Sequence, residues 1–414
     1  MATRRRSALF TSTGMRRSLA AAAVAASLVT LSACSSSAGS QTDGSDASAA
    51  AAKMKAAPVS LALNVADGAS SVNVDTALRA SAADGTLTDV RVHYGDAKTA
   101  KTTLKGSLSP DKTTWSAGVL LEPGQTYRMS ATGANADGET KKRTSSFTTQ
   151  SLTLEQQTFP SISPLRGETV GVGMPVIVRF DLPVKNKAAI ERELEVSSSP
   201  KVEGTWSWLN DNEVHYRPEN YWPAGTVVKV RAKVNGVDAG NGIYGQENRY
   251  TSFKVGKSVI STVNVAAHRI TVKINGKVAR TLPATTGKDG FDTRRGTKII
   301  MEKHSVKRMD AATTGIDESS SEYYDIPDVR YAMRVTNSGE FIHAAPWSTG
   351  SQGAANVSHG CVGLGTSNAR WFYNVSSRGD VVKFINSSRG LEDQNGWTDW
   401  NESYTKFKQG SALS

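Results

Sequence analysis

Cysteine is almost missing from this chain: 414 residues hold two, Cys34 and Cys361. Two cannot build the disulfide framework of a small secreted scaffold. The Cys/His spacings that hold zinc are absent as well, although His343, His359 and Cys361 have the chemistry of ligands. Long apolar runs are equally scarce. The best candidate, Leu19–Leu31, is too short to cross a bilayer comfortably as a permanent helix. Helix-like periodicity is rare, which argues against a bundle. A concentrated basic face with aromatic or helical readout is lacking too, so no nucleic-acid partner is expected despite a formal charge of +11.

Part of that charge is disposable. Met1–Ala33 carries Arg4, Arg5, Arg6, Arg16 and Arg17 and no Asp or Glu, so its removal lowers the charge from +11 to +6. A basic start, an apolar Ala-rich run and Leu31-Ser32-Ala33-Cys34 read as a signal peptide over 1–33. The last four residues resemble the bacterial lipobox, which implies a lipid on Cys34 and a membrane attachment outside the cell. A mildly basic exported protein also suits an anionic cell wall. Residues 34–56 are rich in Ser, Ala and Gly and read as a flexible linker. With Cys34 lipidated, Cys361 has no partner in an oxidising compartment, where an unused free thiol is a liability. That arithmetic alone makes Cys361 a candidate nucleophile.

What the chain has in plenty is short alternating segments broken by turns, so the expected fold class is mainly β. In 57–150, Val59–Val65 and Val90–Tyr94 alternate, with turns at Ala66-Asp67-Gly68 and Pro110-Asp111. Leu121–Tyr127 resembles the tyrosine corner of immunoglobulin-like sandwiches, and Trp115 is a candidate core residue. Residues 151–255 echo the first segment. Tyr221–Val227 repeats the Pro-Gly turn, Tyr250–Phe253 repeats Thr144–Phe147, and Trp206 and Trp208 stand in for Trp115. Two tandem sandwiches acting as a stalk are expected. Asp238–Gly242 is a tight polar loop, read as a turn, with cation binding left open.

Residues 256–386 read as a third, β-rich domain. Strands are expected at Val259–Val263, Arg269–Ile274, Thr297–Glu302, Tyr331–Thr336, Glu340–His343 and Asp380–Ile385, with a hairpin turn at Asn275-Gly276 and a helix at Ser367–Tyr373. The tail, 387–414, carries Trp397, Trp400, Tyr404 and Phe407 and is expected to pack on that domain.

The densest reactive cluster lies between His343 and Cys361, eighteen residues apart. Acyl transfer by cysteine needs a base for the thiol proton, a reachable sulfur and N–H groups facing the oxyanion. His343 can be the base. Gly360 lets the chain turn before the sulfur, and the N–H groups of His359, Gly360 and Cys361 are the expected oxyanion donors. A helix starting soon after would favour the thiolate.

Ser358-His359-Gly360-Cys361 with His343 in an upstream strand resembles the signature of the YkuD-type L,D-transpeptidase catalytic domain. His343–Tyr373 resembles its actinobacterial lipoprotein members, which share the layout of lipobox, immunoglobulin-like domains and catalytic domain. The resemblance implies that Cys361 is acylated and His343 is its base, without cofactor or metal. It implies peptidoglycan stem peptides as donor and acceptor, 3→3 cross-links as product, and carbapenems as covalent inhibitors. An L,D-carboxypeptidase using the same residues and a non-catalytic wall-binding lipoprotein are the alternatives. By the same resemblance Ser338 and Gly339, Met309, Tyr323, Tyr324, Trp347, Ser358 and Gly363 touch substrate, and Thr286-Gly287 and Gly296 are glycine-bearing turns. The chain departs from the family at Gly363, where many members have Asn, at Ala344, where some have Ser, and at Thr293-Arg294-Arg295-Gly296 in place of Thr-Pro-x-Gly. With Ala344, a backbone carbonyl must orient His343. His359 either tunes the site or braces the turn. His304 in an expected lid, and His93, His215 and His268, read as structural.

Overall fold

A computed structural model describes residues 54–95 and 102–414; Cys34 and the segment 1–33 read as a signal peptide lie outside the described residues. The chain is mainly β. In the first sandwich, one sheet runs Ser60–Leu63, Arg79–Ala83, Thr114–Ala117, Gly106–Leu108, and the facing one Thr102–Thr103, Thr86–Gly95, Thr126–Ala134, Thr140–Thr148. Alternation decides which side chains go inward: Tyr127, Met129 and Ala131 are buried while Arg128 is exposed. Trp115, Leu78, Leu87, Val92 and Phe147 complete the core. The Tyr127 hydroxyl accepts the Glu122 N–H at 2.7 Å, the hydrogen bond expected of a tyrosine corner.

The second sandwich repeats the plan. Pro160–Ser163, Val176–Phe180, Glu213–Pro218 and Gly204–Trp208 face Thr169–Val170, Arg249–Val255, Val227–Ala232 and Leu194–Ser199. Trp206 is buried and Trp208 half-buried. The polar loop at Asp238–Gly242 is a tight hairpin. The Asp238 carboxylate is taken up by the Asn186 amide and the Gly240 N–H.

One strand breaks the alternation. In Glu213–Pro218, Val214 and Tyr216 point into the core, yet His215 and Arg217 are buried too. The tail covers them. The Arg217 guanidinium lies 4.7 Å from the Trp400 ring and 4.5 Å from that of Phe407, and donates to the Glu402 carbonyl. His215 is held at 2.7 Å by Asp399 through Nδ1 and at 2.7 Å by Glu213 through Nε2. The tail therefore packs on the second sandwich as well as on the third domain, to which it is tied by Asn401 against Thr297 and Asn395 against Ser338. The sequence led to the third domain alone, because nothing in it marks the outer face of Glu213–Pro218 as covered.

The third domain holds a five-stranded sheet, Lys277–Pro283, Arg269–Ile274, Val259–Asn264, Val381–Ile385, Gly296–Ile299, and a four-stranded one, Glu302–Asp310, Asp325–Arg334, Phe341–Ala344, Val362–Leu364. Asn275 and Gly276 turn with φ of 49° and 81°, the left-handed pair a tight hairpin requires. The helix Thr366–Val375 packs over the second sheet, burying Ala369 and Phe372 against Ile342, Val362 and Leu364.

Burial alone would push the His215 imidazole down, but Asp399 and Glu213 outweigh it and hold its pKa at about 9. A pKa raised in the folded chain stabilises it fully below the unfolded value of 6.5 and ceases to do so as pH rises through 9. Asp399→Asn is expected to lower the thermal midpoint by several degrees at pH 7. It is also expected to flatten the fall in that midpoint between pH 7 and 10. Equal slopes in the two proteins would count against this account.

Candidate active site

Two short strands lie side by side and parallel: Phe341–Ala344 and Val362–Leu364, with Ile342 opposite Val362 and His343 opposite Gly363. Side chains two apart on a strand share a face. Cys361 therefore emerges on the side of Gly363, which is the side of His343. Both side chains line one cavity of about 330 Å³, with Met309, Tyr324, Trp347, Ser358 and His359 also in its wall.

The Cys361 sulfur is gripped by backbone. It accepts the Phe341 N–H at 3.4 Å and faces the Gly339 carbonyl as donor at 3.7 Å. Burial pushes the thiol up to about 11, with Glu340 adding to the rise and Phe341 N–H, Lys298 and Arg334 opposing it. The His343 Nδ1 lies 2.8 Å from the Ala344 carbonyl, which makes Nδ1 the protonated nitrogen and leaves Nε2 a lone pair. Burial also lowers the His343 pKa, with the Ala344 bond opposing. At neutral pH the pair is a thiol and a neutral imidazole, not an ion pair.

Residues 258–384 match the L,D-transpeptidase catalytic domain family, and residues 69–238 match the bacterial Ig domain family, a single match across both sandwiches. L,D-transpeptidase 2 of Mycobacterium tuberculosis (strain CDC 1551 / Oshkosh) is 37% identical over 353 residues, covering 85% of each chain. This chain belongs to the L,D-transpeptidase family. L,D-transpeptidase 5 of Mycobacterium tuberculosis (strain ATCC 25618 / H37Rv) is 35% identical over 317 residues, 74% of this chain and 68% of that one. Among solved structures, L,D-transpeptidase 3 from Mycobacterium tuberculosis in complex with a faropenem-derived adduct shares 32% identity, over 55% of this chain and 97% of that one, with a TM-score of 0.46.

Within this L,D-transpeptidase the residues singled out from sequence divide. Met309, Tyr324, Trp347, Ser358 and Gly363 line the cavity. Trp347 is half exposed at its mouth, its ring 5.9 Å from that of His343. Tyr323 turns away, its hydroxyl 3.4 Å from Asp310. Ser338 faces the tail, tied to Asn395 through both backbone and hydroxyl; its neighbour Gly339 reaches the sulfur through its carbonyl. Thr286-Gly287 lies along the Ser358–Cys361 loop, where the Ser358 N–H donates to the Thr286 carbonyl at 3.0 Å. Gly296 opens the strand to Ile299.

Two expectations need correcting. The Gly360 N–H donates to Ser358 Oγ at 3.1 Å, so it is spent on the turn, and of the three N–H groups expected to face an oxyanion only those of His359 and Cys361 are left for that role. Ser358 Oγ itself donates to the Cys361 carbonyl. The helix begins at Thr366, beyond the strand Val362–Leu364. Four residues, Val362 to Gly365, separate it from Cys361, roughly 13 Å of extended chain, and a helix dipole fades within about one turn. Gly360 does have the conformation that only glycine takes easily, with φ of 118°. Gly363 has a different cause: a Cβ there would lie 2.8 Å from Thr285 Cγ2 and 3.0 Å from Ala345 Cβ. Packing rather than a lost substrate contact explains the glycine.

Glu322 was not visible from the sequence. It sits in the tip, residues 311–324, of the hairpin Glu302–Asp310 and Asp325–Arg334. Its carboxylate takes the Lys288 ammonium at 2.5 Å and His359 Nε2 at 2.7 Å. The His359 ring is flanked by Phe291 at 4.6 Å and Tyr324 at 5.1 Å. His359 thus ties the loop that carries Cys361 to the hairpin that lines the cavity. A glutamate in a polar loop carries no sequence signal of this kind; only the fold brings it to His359. Glu322→Ala is expected to raise amide exchange across 311–324 while the thermal midpoint barely moves, since the ion pairs are partly exposed. Unchanged exchange in that segment would show that something else holds the hairpin down.

Proposed function

We propose that this L,D-transpeptidase acts through a thioester on Cys361, with His343 as general base and then general acid, and that its product is a 3→3 peptidoglycan cross-link. The observation that carries the reading is the shared face of His343 and Cys361, with Nδ1 engaged by Ala344 and Nε2 left to take a proton. A thiol held up near 11 is nearly all protonated at neutral pH. The proton therefore moves to Nε2 as the sulfur attacks, rather than before it.

The sulfur adds to the carbonyl of the amide between meso-diaminopimelate and D-Ala in a tetrapeptide donor stem. The oxyanion is taken by the N–H groups of Cys361 and His359. Collapse breaks the C–N bond, and D-Ala leaves with the proton from His343. The side-chain amine of a neighbouring stem then attacks the thioester, His343 takes its proton, and the thiol is returned. Water in place of the amine gives the carboxypeptidase reaction. A β-lactam carbonyl offers the same sulfur a strained amide whose leaving nitrogen stays attached, so carbapenems are expected to acylate Cys361. No cofactor enters any step. We propose further that the mature protein is exported and held at the outer face of the membrane by lipid on Cys34, the two sandwiches serving as a stalk.

Cys361→Ala is expected to abolish formation of dimeric 3→3 product from purified tetrapeptide stems. His343→Ala is expected to lower kcat by a factor of about 100 to 10,000. Intact mass after carbapenem exposure should show one adduct on Cys361. Product formation by the Cys361→Ala protein would sink the reading. Normal stem binding without turnover by the wild type would favour a wall-binding protein instead.

A further inference from the structure

The residue between the two groups that grip the sulfur is charged and buried. Gly339 offers its carbonyl to the Cys361 thiol and Phe341 its N–H. Glu340 lies between them, 3% exposed. One carboxylate oxygen pairs with the Lys298 ammonium, which is itself 1% exposed and sits 3.8 Å from the Phe384 ring centre. The other accepts the Arg294 backbone N–H at 3.0 Å and its guanidinium at 3.1 Å. Arg294 follows Thr293, whose hydroxyl donates to the Gly360 carbonyl at 2.7 Å. A side-chain carbon at Gly360 would stand 3.6 Å from the Glu340 carboxylate. The three charged residues therefore meet directly behind the nucleophile, and their chain neighbours hold both Cys361 and the residue before it.

A buried ion pair is a costly way to fill a core. Apolar residues of the same volume often stabilise as well or better. Stability alone thus does not account for three charges at this spot, where a Val, a Leu and a Met would pack. What charge supplies and packing does not is direction: bonds to both carboxylate oxygens fix the tilt of the Gly339–Phe341 backbone. We propose that Glu340, clamped by Lys298 and Arg294, is a positioning residue for Cys361, fixing the two backbone groups that aim its sulfur. This rests on Cys361 being the nucleophile. The charged and titratable groups facing the sulfur are Glu340, Lys298 and Arg334 behind it, and His343, His359 and Tyr324 across the cavity. Among these Glu340 opposes ionisation of the thiol while Lys298 and Arg334 favour it.

Two variants of the full mature chain test the proposal, read by carbapenem acylation and by iodoacetamide alkylation of Cys361 across pH. The double variant Glu340→Leu/Lys298→Met removes one charge of each sign. It is expected to fold and to acylate about tenfold to a hundredfold more slowly at saturating carbapenem, with half-saturation little changed. Its alkylation midpoint should stay near that of the wild type. Lys298→Met alone leaves the carboxylate on Arg294, and should raise the alkylation midpoint by about one pH unit with a smaller loss of acylation rate. A folded double variant that acylates at the wild-type rate would overturn the proposal. If the double variant does not fold, a folded Lys298→Met that acylates at the wild-type rate would do the same. A wild-type protein alkylated at Cys361 but acylated by neither carbapenem nor stem peptide would instead refute the nucleophile reading; the variants' alkylation profiles would still decide the role of Glu340.

Discussion

The site depends on one parallel strand pair. Antiparallel neighbours are easily joined by a two-residue turn, whereas parallel ones need a long return path. Here the return runs from Ala345 to Cys361 with one 3-10 turn, Pro346–Ser348, inside it. Such a stretch must be held by something else. Thr285 pairs with Gly363 on the far side of the short strand, and Asn356 binds Thr286, His268 and the Val265 carbonyl. These bonds turn a long loop into a frame. They fix the register that sets His343 against Gly363, and with it the offset between imidazole and sulfur. A slip of one residue would carry Cys361 to the opposite face.

Burial gives this pair its character. The same desolvation that raises the thiol lowers the imidazole, so neither group is charged at rest. A buried, neutral thiol is a poor target for chance oxidation. On the proposed mechanism, reactivity is delivered with the substrate, when a carbonyl enters the cavity and the proton has somewhere to go. The hairpin carrying Met309 and Tyr324, latched through Glu322 to His359, supplies part of the cavity's apolar wall.

Much of the frame was legible in the sequence because it rests on local rules. Arg269–Ile274 alternates and Asn275-Gly276 turns, and both appear as read. Tyr127 makes its corner because the motif contains donor and acceptor within six residues. His343 and Cys361 could be paired only through resemblance, since eighteen residues of separation say nothing about register. What could not be read was everything carried by contacts between distant segments. Glu322 meets His359, Glu340 meets Lys298, and the tail covers His215 and Arg217, each across tens or hundreds of residues. The Gly360 N–H, expected to face an oxyanion, is engaged for a local reason: Ser358, two residues earlier, takes it.

The tail shows how the second sandwich and the site are joined. Asp399 and Glu402 anchor it on the second sandwich through His215 and Arg217. A few residues earlier, Asn395 holds Ser338 and Glu392 holds Arg294 at 2.5 Å. Ser338 precedes the carbonyl that faces the sulfur, and Arg294 clamps Glu340. Continuity of contacts is not by itself coupling. It does fix geometry: the backbone that cradles Cys361 is braced by a segment whose other end is nailed to a different domain. A catalytic domain cut away from that sandwich would leave His215, Arg217 and the tail aromatics without their partners. The 387–414 segment would lose the ordering that brings Glu392 to Arg294. The second immunoglobulin-like sandwich is thus part of what braces the backbone around Cys361.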